Sequence, residues 1–135
     1  MTKILLDTHT VLWLTQSERE LGQEARALCE AALARDDLMI SPIVYYELAD
    51  LVRKGRLEQR IEMSAWRRDL LSMGVLELPV TGAVAIQAAA LADFHKDPWD
   101  RMIVATGLVH EATLVTADRE ILRWNGVLDR VDARK

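Results

Sequence analysis

The feature that most constrains the fold is the alternation of very short apolar runs with longer helical patterns. Apolar runs of three to five residues are too short for helices of their own and are typical of buried strands. Strands that alternate with helices indicate an α/β fold with a mainly parallel sheet. The predicted strands are Lys3–Asp7, Leu38–Ile40, Val75–Leu78 and Thr113–Thr116, with a possible last strand at Val127–Val131.

Helix signals fill the stretches between these runs. Gln23–Arg35 carries apolar side chains at helical spacing. Ser41 and Pro42 have the chemistry of an N-cap and a first helical position, and Gly74 suits the left-handed end of a helix. Predicted helices cover Val11–Leu14, Gln23–Arg35, Pro42–Lys54, Ser64–Met73, the stretch from the Thr81 cap to Ala92, Asp97–His110 and Asp118–Trp124.

Composition limits the class of protein. The 135 residues contain no repeat and no linker rich in glycine, proline or serine, so we predict a single domain over residues 1–135. No apolar run approaches the roughly 20 residues of a membrane span, and the start does not look like a signal peptide. We therefore expect no membrane association and a cytoplasmic location, which the single cysteine, Cys29, also fits. The formal net charge of −4 disfavours a general nucleic-acid-coating protein.

Four acidic residues occupy unusual positions. Asp7 and Asp118 lie at the carboxyl ends of predicted strands, which is the edge where open parallel sheets bind ligands. Glu47 and Asp100 lie on predicted helices beside apolar positions. A carboxylate that half faces a core costs several kcal/mol unless it is paired or bound to metal. These acids therefore depart from the usual solvated surface charge.

If the four acids converge, they require a counter-charge. Two carboxylates about 4 Å apart repel by ~4 kcal/mol at an effective dielectric of ~20. Mg²⁺ and Mn²⁺ prefer oxygen ligands, and no histidine–cysteine cluster at zinc spacing competes with this interpretation. Such an ion activates water for phosphodiester hydrolysis. Spacing alone leaves open whether the four acids form a metal site or are unrelated structural acids.

Four segments resemble the motifs of the PIN-domain nucleases, specifically the VapC-type toxins of bacterial toxin–antitoxin pairs. Each motif is weak by itself, but the four together have the order and spacing of that family across nearly the whole chain. The segments are Leu5–Thr10, Ser41–Leu48, Asp97–Ala105 and Leu114–Asp118.

The resemblance implies an α/β/α sandwich around a parallel sheet and an Mg²⁺- or Mn²⁺-dependent endoribonuclease. It also implies a cognate antitoxin that blocks the site, and self-association as a homodimer is common among such toxins. Carried over position by position, the expected catalytic residues and metal ligands are Asp7, Glu47, Asp100 and Asp118. Thr8 and Thr116 become hydrogen-bond partners of a ligand, a water or a phosphate.

Neighbours of these acids have more ordinary interpretations beside functional ones. Asp97 belongs to the same motif as Asp100, and we interpret it as a helix N-cap. Arg101 has the chemistry either to contact substrate phosphate or to pair with an acid. A general-base role for His9 is conceivable, but packing or capping is the commoner use of such a residue. His95 has no partner at ligand spacing. The four tryptophans are expected in the core or at an interface rather than stacked on bases.

Other enzyme classes fit less well. A haloacid-dehalogenase-type phosphatase needs a second aspartate two residues after Asp7, where this chain has His9. A receiver domain needs an acidic pair after its first strand, whereas Asp36 and Asp37 follow a helix. Two alternatives remain open: a catalytically inactive PIN fold that binds RNA or protein, and a nuclease that acts on DNA, since carboxylates do not report the 2′-hydroxyl.

Overall fold

The computed structural model describes residues 2–58 and 60–135. Its described residues form one five-stranded sheet in the order β3-β2-β1-β4-β5, and every neighbouring pair is parallel. The strands are β1 (Ile4–Leu6), β2 (Leu38–Ile40), β3 (Leu76–Glu77), β4 (Thr113–Thr116) and β5 (Arg130–Asp132).

Seven helices connect these strands within the described residues. They are α1 (Thr8–Thr15), α2 (Gln23–Ala34), α3 (Ile43–Arg53), α4 (Met63–Met73), α5 (Gly82–Ala90), α6 (Pro98–His110) and α7 (Arg119–Arg123). None of the helices formed by the described residues is long and apolar enough to cross a membrane.

The helices cover both faces of the sheet. All residues of β1 and β2 are buried, which requires packing partners above and below these central strands. The core joins strand residues such as Leu5, Ile40 and Leu114 to the helix residues Leu48 and Ile103, each at most 1% exposed. The prediction of an α/β sandwich around a short-stranded parallel sheet is confirmed.

Nearby polar side chains set the starts of α1 and α3. Helix α1 starts at Thr8, three residues before the predicted start, because the Asp7 side chain accepts a hydrogen bond from the backbone nitrogen of Thr10. Helix α3 starts at Ile43, whose backbone nitrogen donates to Ser41 Oγ at 3.2 Å. Pro42 already has helical dihedral angles, so the predicted start of α3 was wrong by only one residue.

The prediction for the last strand was wrong in position. The strand lies at Arg130–Asp132 instead of Val127–Val131, because these residues pair in register with Leu114–Thr116 of β4. Val127 is 93% exposed and Leu128 turns into the core from the preceding loop. Pairing with β4, a tertiary event, therefore selects the strand.

The segment after β5 is held by backbone hydrogen bonds on two sides. The Ala133 nitrogen donates to the Thr116 carbonyl at 2.8 Å, and the Gly22 nitrogen donates to the Ala133 carbonyl at 2.9 Å. The Glu24 nitrogen, at the start of α2, donates to the Lys135 carbonyl at 2.9 Å. This segment is thus fixed between β4 and the beginning of α2.

We expect Gly22→Ala to destabilise this arrangement. A Cβ at residue 22 would lie 2.2 Å from the Lys135 carbonyl carbon, so the backbone would have to move. The free energy of unfolding should fall by about 2 kcal/mol in urea denaturation. Gly82→Ala is the matched control, because no atom lies within 4 Å of its Cβ position. Equal stability of the two variants would contradict the prediction.

Candidate functional site

The four predicted acids line a single open cavity of about 280 Å³ at one end of the sheet. The carboxyl ends of β1 and β4 and the first turn of α6 all contribute to it. Its lining residues are Asp7, Thr8, His9, Trp13, Glu47, Asp97, Asp100, Ala117, Asp118 and Arg134. Asp7 and Asp118, which are 111 positions apart in the chain, therefore line the same cavity.

Asp7 is the most deeply held of these carboxylates and is 7% exposed. Its Oδ1 accepts from the backbone nitrogen of Thr10 at 3.1 Å and lies 2.6 Å from the Thr10 hydroxyl. Its Oδ2 accepts from the Thr116 hydroxyl. Burial raises the pKa of Asp7, and these hydrogen bonds partly oppose that shift.

Asp97 and Asp118 also sit at helix N-termini. Asp118 caps α7, with Oδ1 accepting from the backbone nitrogens of Glu120 at 2.8 Å and Ile121 at 3.2 Å. Asp97 caps α6 and accepts from the backbone nitrogen of Trp99 at 2.9 Å, which confirms its predicted capping role. Asp97 also lines the cavity. Helix N-termini carry partial positive charge, so they lower the cost of placing Asp97 and Asp118 near Asp7, which itself caps α1.

Threonine hydroxyls orient two of the carboxylates. Thr8 donates to Glu47 Oε1 across 39 residues of sequence. Thr116 donates to Asp7 Oδ2 while its own oxygen accepts from the Asp118 nitrogen at 3.0 Å. Both threonines were predicted to contact a ligand, a water or a phosphate, but in the structure each hydroxyl proton serves a carboxylate. Their observed contribution is to fix the acids.

Asp100 has the most strongly perturbed carboxyl group. Burial, followed by the charges of Asp118, Asp97, Glu47 and Asp7, raises the pKa of Asp100 to about 8. At neutral pH the metal-free protein therefore retains a proton in this cavity. Glu47 has a pKa raised in the same direction, again mainly by burial.

His95 joins the acids, although its sequence position did not indicate this. Its Nε2 lies 3.3 Å from Asp100 Oδ2, and it is buried without a hydrogen bond of good geometry to any described residue. One ligand atom each from His95, Asp100 and Asp118 lie within 4.8 Å of one another. His95 lies in the loop between α5 and α6, and the conformation of this loop brings it to Asp100. The spacing of the two residues in the sequence does not predict this contact.

The donor set fits a divalent cation. Converging carboxylates with raised pKa values gain most when a cation replaces the bound proton. Oxygen ligands suit Mg²⁺ and Mn²⁺, and an imidazole nitrogen adds a donor that transition metals such as Mn²⁺ accept. Asp7, Glu47, Asp100 and Asp118 would hold such an ion. The unpartnered nitrogen of His95 lies beside them.

Arg101 serves a purpose other than the two predicted ones. It neither lines the cavity nor pairs with an acid among the described residues. Its guanidinium donates to five backbone carbonyls at the end of α5 and in the following loop. These belong to Ala88, Ala89, Leu91, Phe94 and His95. The predicted phosphate contact is corrected to a structural role, because the donors are already used in holding the loop that carries His95.

Comparison with known families agrees with this geometry. The family model for the PIN domain matches residues 4–126. The chain belongs to the PIN-domain family. It is also 35% identical over 122 residues to ribonuclease VapC22 of Mycobacterium tuberculosis, covering 90% of this chain and 91% of that protein.

Solved structures share the same PIN fold. VapBC-1 from nontypeable Haemophilus influenzae matches with a TM-score of 0.67 and 23% identity, over 98% of both chains. VapBC2 from Rickettsia felis, bound to a DNA fragment from its promoter, matches with a TM-score of 0.66 and 19% identity, over 96% of this chain and 98% of that chain. At these identities the likeness concerns the fold of the PIN domain.

The raised pKa of Asp100 predicts how the stability of the metal-free PIN domain depends on pH. The folded state keeps a proton up to about pH 8, whereas the unfolded state releases it near its ordinary pKa of 3.8. Because the folded state then binds more protons, stability should fall as pH rises from about 4 to about 8. Urea unfolding in EDTA should show a weaker fall for Asp100→Asn. Parallel pH profiles of the two proteins would contradict this.

The carbonyl contacts predict that Arg101→Lys destabilises the fold. A lysine ammonium cannot reproduce the planar fork that reaches five carbonyls, and the free energy of unfolding should fall by about 2 kcal/mol. Arg123→Lys is the control, because the one side-chain contact of Arg123 among the described residues is an exposed ion pair with Glu120. An Arg101→Lys variant with wild-type stability but weakened RNA binding would restore the predicted phosphate contact.

Proposed function

We propose that this PIN domain is an Mg²⁺- or Mn²⁺-dependent endoribonuclease that acts as the toxin of a toxin–antitoxin pair. The observation that carries the proposal is the convergence of Asp7, Glu47, Asp100 and Asp118 on one cavity, with His95 beside Asp100. Few purposes other than cation binding justify so many half-buried acids at one sheet edge. The substrate class comes from the ribonuclease VapC22 relative.

The residues of the cavity have distinct tasks in this reaction. When bound, the divalent ion lowers the pKa of a water and neutralises charge on the phosphate. Asp7, Glu47, Asp100 and Asp118 would hold the ion, and their remaining carboxylate oxygens would orient a water toward the phosphate. Thr8 and Thr116 fix the Glu47 and Asp7 carboxylates, so little reorganisation is needed when substrate arrives.

The proton on Asp100 connects ion binding to pH. Asp100 would have to lose this proton in order to ligate an ion, because a ligating carboxylate is ionised. Ion binding therefore strengthens as pH rises toward the Asp100 pKa of about 8. The neighbouring acids, which raise that pKa, also supply the charge that attracts the ion.

An antitoxin is the proposed protein partner. Solved neighbours of this fold include a toxin–antitoxin complex from Klebsiella pneumoniae, which matches with a TM-score of 0.62. The cavity is open to solvent, so a partner chain could cover it and block RNA entry. A homodimer and a cytoplasmic location complete the proposal and remain predictions.

The test is cleavage of a pool of structured RNAs by the wild-type protein and by Asp7→Asn. Asparagine still accepts the hydrogen bond that caps α1, but it removes one charge from the cavity. We expect cleavage that needs Mg²⁺ or Mn²⁺ and falls at least 100-fold in Asp7→Asn. The matched control is Asp69→Asn, an exposed acid of α4 that does not line the cavity and should leave activity unchanged.

The other outcomes identify the competing functions. Cleavage of DNA but not of RNA would favour a nuclease that acts on DNA. RNA binding without cleavage by the wild-type protein, with bound Mn²⁺ detected by calorimetry, would favour a binding module. Equal cleavage by the wild-type protein and by Asp7→Asn would show that cleavage does not need the charge of Asp7, and would contradict the proposed mechanism.

A further inference from the structure

Arg134 lies in the acidic cavity, although no sequence motif singles it out. It is the single lysine or arginine among the cavity-lining residues of the described chain. A positively charged side chain close to the acids does not help them to bind a metal ion, because the two positive charges repel each other. The presence of Arg134 there calls for an anionic partner other than the acids themselves.

Several contacts hold Arg134 in place. Its backbone nitrogen donates to Asp132 Oδ1 at 2.9 Å, and the backbone nitrogen of the preceding residue, Ala133, donates to the Thr116 carbonyl of β4. Its Nη1 donates to the Ala117 carbonyl at 2.7 Å, directly before Asp118. Its guanidinium carbon lies 5.6 Å from the centre of the Trp13 ring, within cation–π range. The guanidinium is therefore positioned in advance.

The charge of Arg134 is left unpaired by these contacts. Within residues 2–58 and 60–135, no carboxylate oxygen lies within 4.0 Å of its guanidinium nitrogens. Nη1 bonds to a neutral carbonyl, and the described residues accept no hydrogen bond from Nε or Nη2. The residue is also exposed. It thus presents free donors to solvent at the rim of the acidic group.

We infer that Arg134 is a substrate-binding residue, which holds the RNA phosphate next to the one that the carboxylates and their ion receive. This inference rests on the proposed nuclease function. A planar guanidinium with free donors matches phosphate oxygens, and stacking on Trp13 limits the entropy lost on binding. Arg134 lines the same cavity as the acids, but none of the described carboxylates lies within ion-pair distance of it, so it lies beside the ion-binding group. The phosphate it binds is therefore a flanking one.

Two other roles explain the observations less well. A counter-ion that neutralises the acids would form an ion pair with one of them, and Arg134 forms none with any described residue. Arg134 is also not needed to hold the segment after β5 in place, because backbone hydrogen bonds of Gly22, Glu24 and Ala133 already do so. An RNA phosphate that binds at the cavity would pair this charge.

The experiment compares Arg134→Gln and Arg134→Lys with the control Lys135→Gln. Lys135 is exposed, carries the same charge and does not line the cavity. Binding of a single-stranded RNA is measured with Ca²⁺ in place of Mg²⁺, with RNA integrity checked on a gel. In Arg134→Gln the dissociation constant should rise about tenfold, and the slope of log K against log salt should shrink by about 0.7, one phosphate contact. Arg134→Lys should be intermediate.

Cleavage kinetics and stability complete the test. A contact to a flanking phosphate is made equally in the ground state and in the transition state. Its loss in Arg134→Gln should therefore raise KM about tenfold and leave kcat nearly unchanged. Melting temperature and Mn²⁺ affinity should match those of Lys135→Gln. A fall in melting temperature or Mn²⁺ affinity that accounts for the weaker binding, or a salt slope equal to the control, would overturn the inference. Absence of RNA binding and cleavage in the wild-type protein would instead refute the proposed function.

Discussion

The parallel pairing of β1 with β4 is the constraint on which the site depends. Register places Leu6 opposite Val115, so the next residues, Asp7 and Thr116, emerge side by side at the same edge. Thr10 reaches both partners, because its hydroxyl lies 2.6 Å from Asp7 and 3.0 Å from the Val115 carbonyl. One buried carboxylate thus joins two strands to the first turn of α1, and the other acids are arranged around it.

The same edge resolves the conflict between stability and charge. Five carboxylates in one cavity would repel strongly, yet three of them cap helices whose backbone N–H groups favour negative charge. Marginal electrostatic balance of this kind is typical of functional sites, because the ligand supplies the missing charge.

Arginines illustrate how alike residues diverge in the fold. Arg101 adjoins Asp100 in sequence, but its donors all go to backbone carbonyls and it supports the loop that carries His95. Arg134 is far from every acidic motif, yet the pairing of β5 with β4 delivers it to the cavity. Proximity in sequence was therefore a poor guide to which cation faces the site.

The sequence by itself determined the class of fold and the identity of the acids. Short apolar runs, capping residues and the acidic motifs are local signals, since each depends on residues within a few positions of one another. Only the tertiary structure decided the position of β5, the arrival of His95 and Arg134 in or beside the cavity, and the true task of Arg101. The positions of β5 and Arg134 depend on the pairing of β5 with β4, whereas those of His95 and Arg101 depend on how the loop between α5 and α6 folds against α6. No local pattern records the free energy of these tertiary contacts.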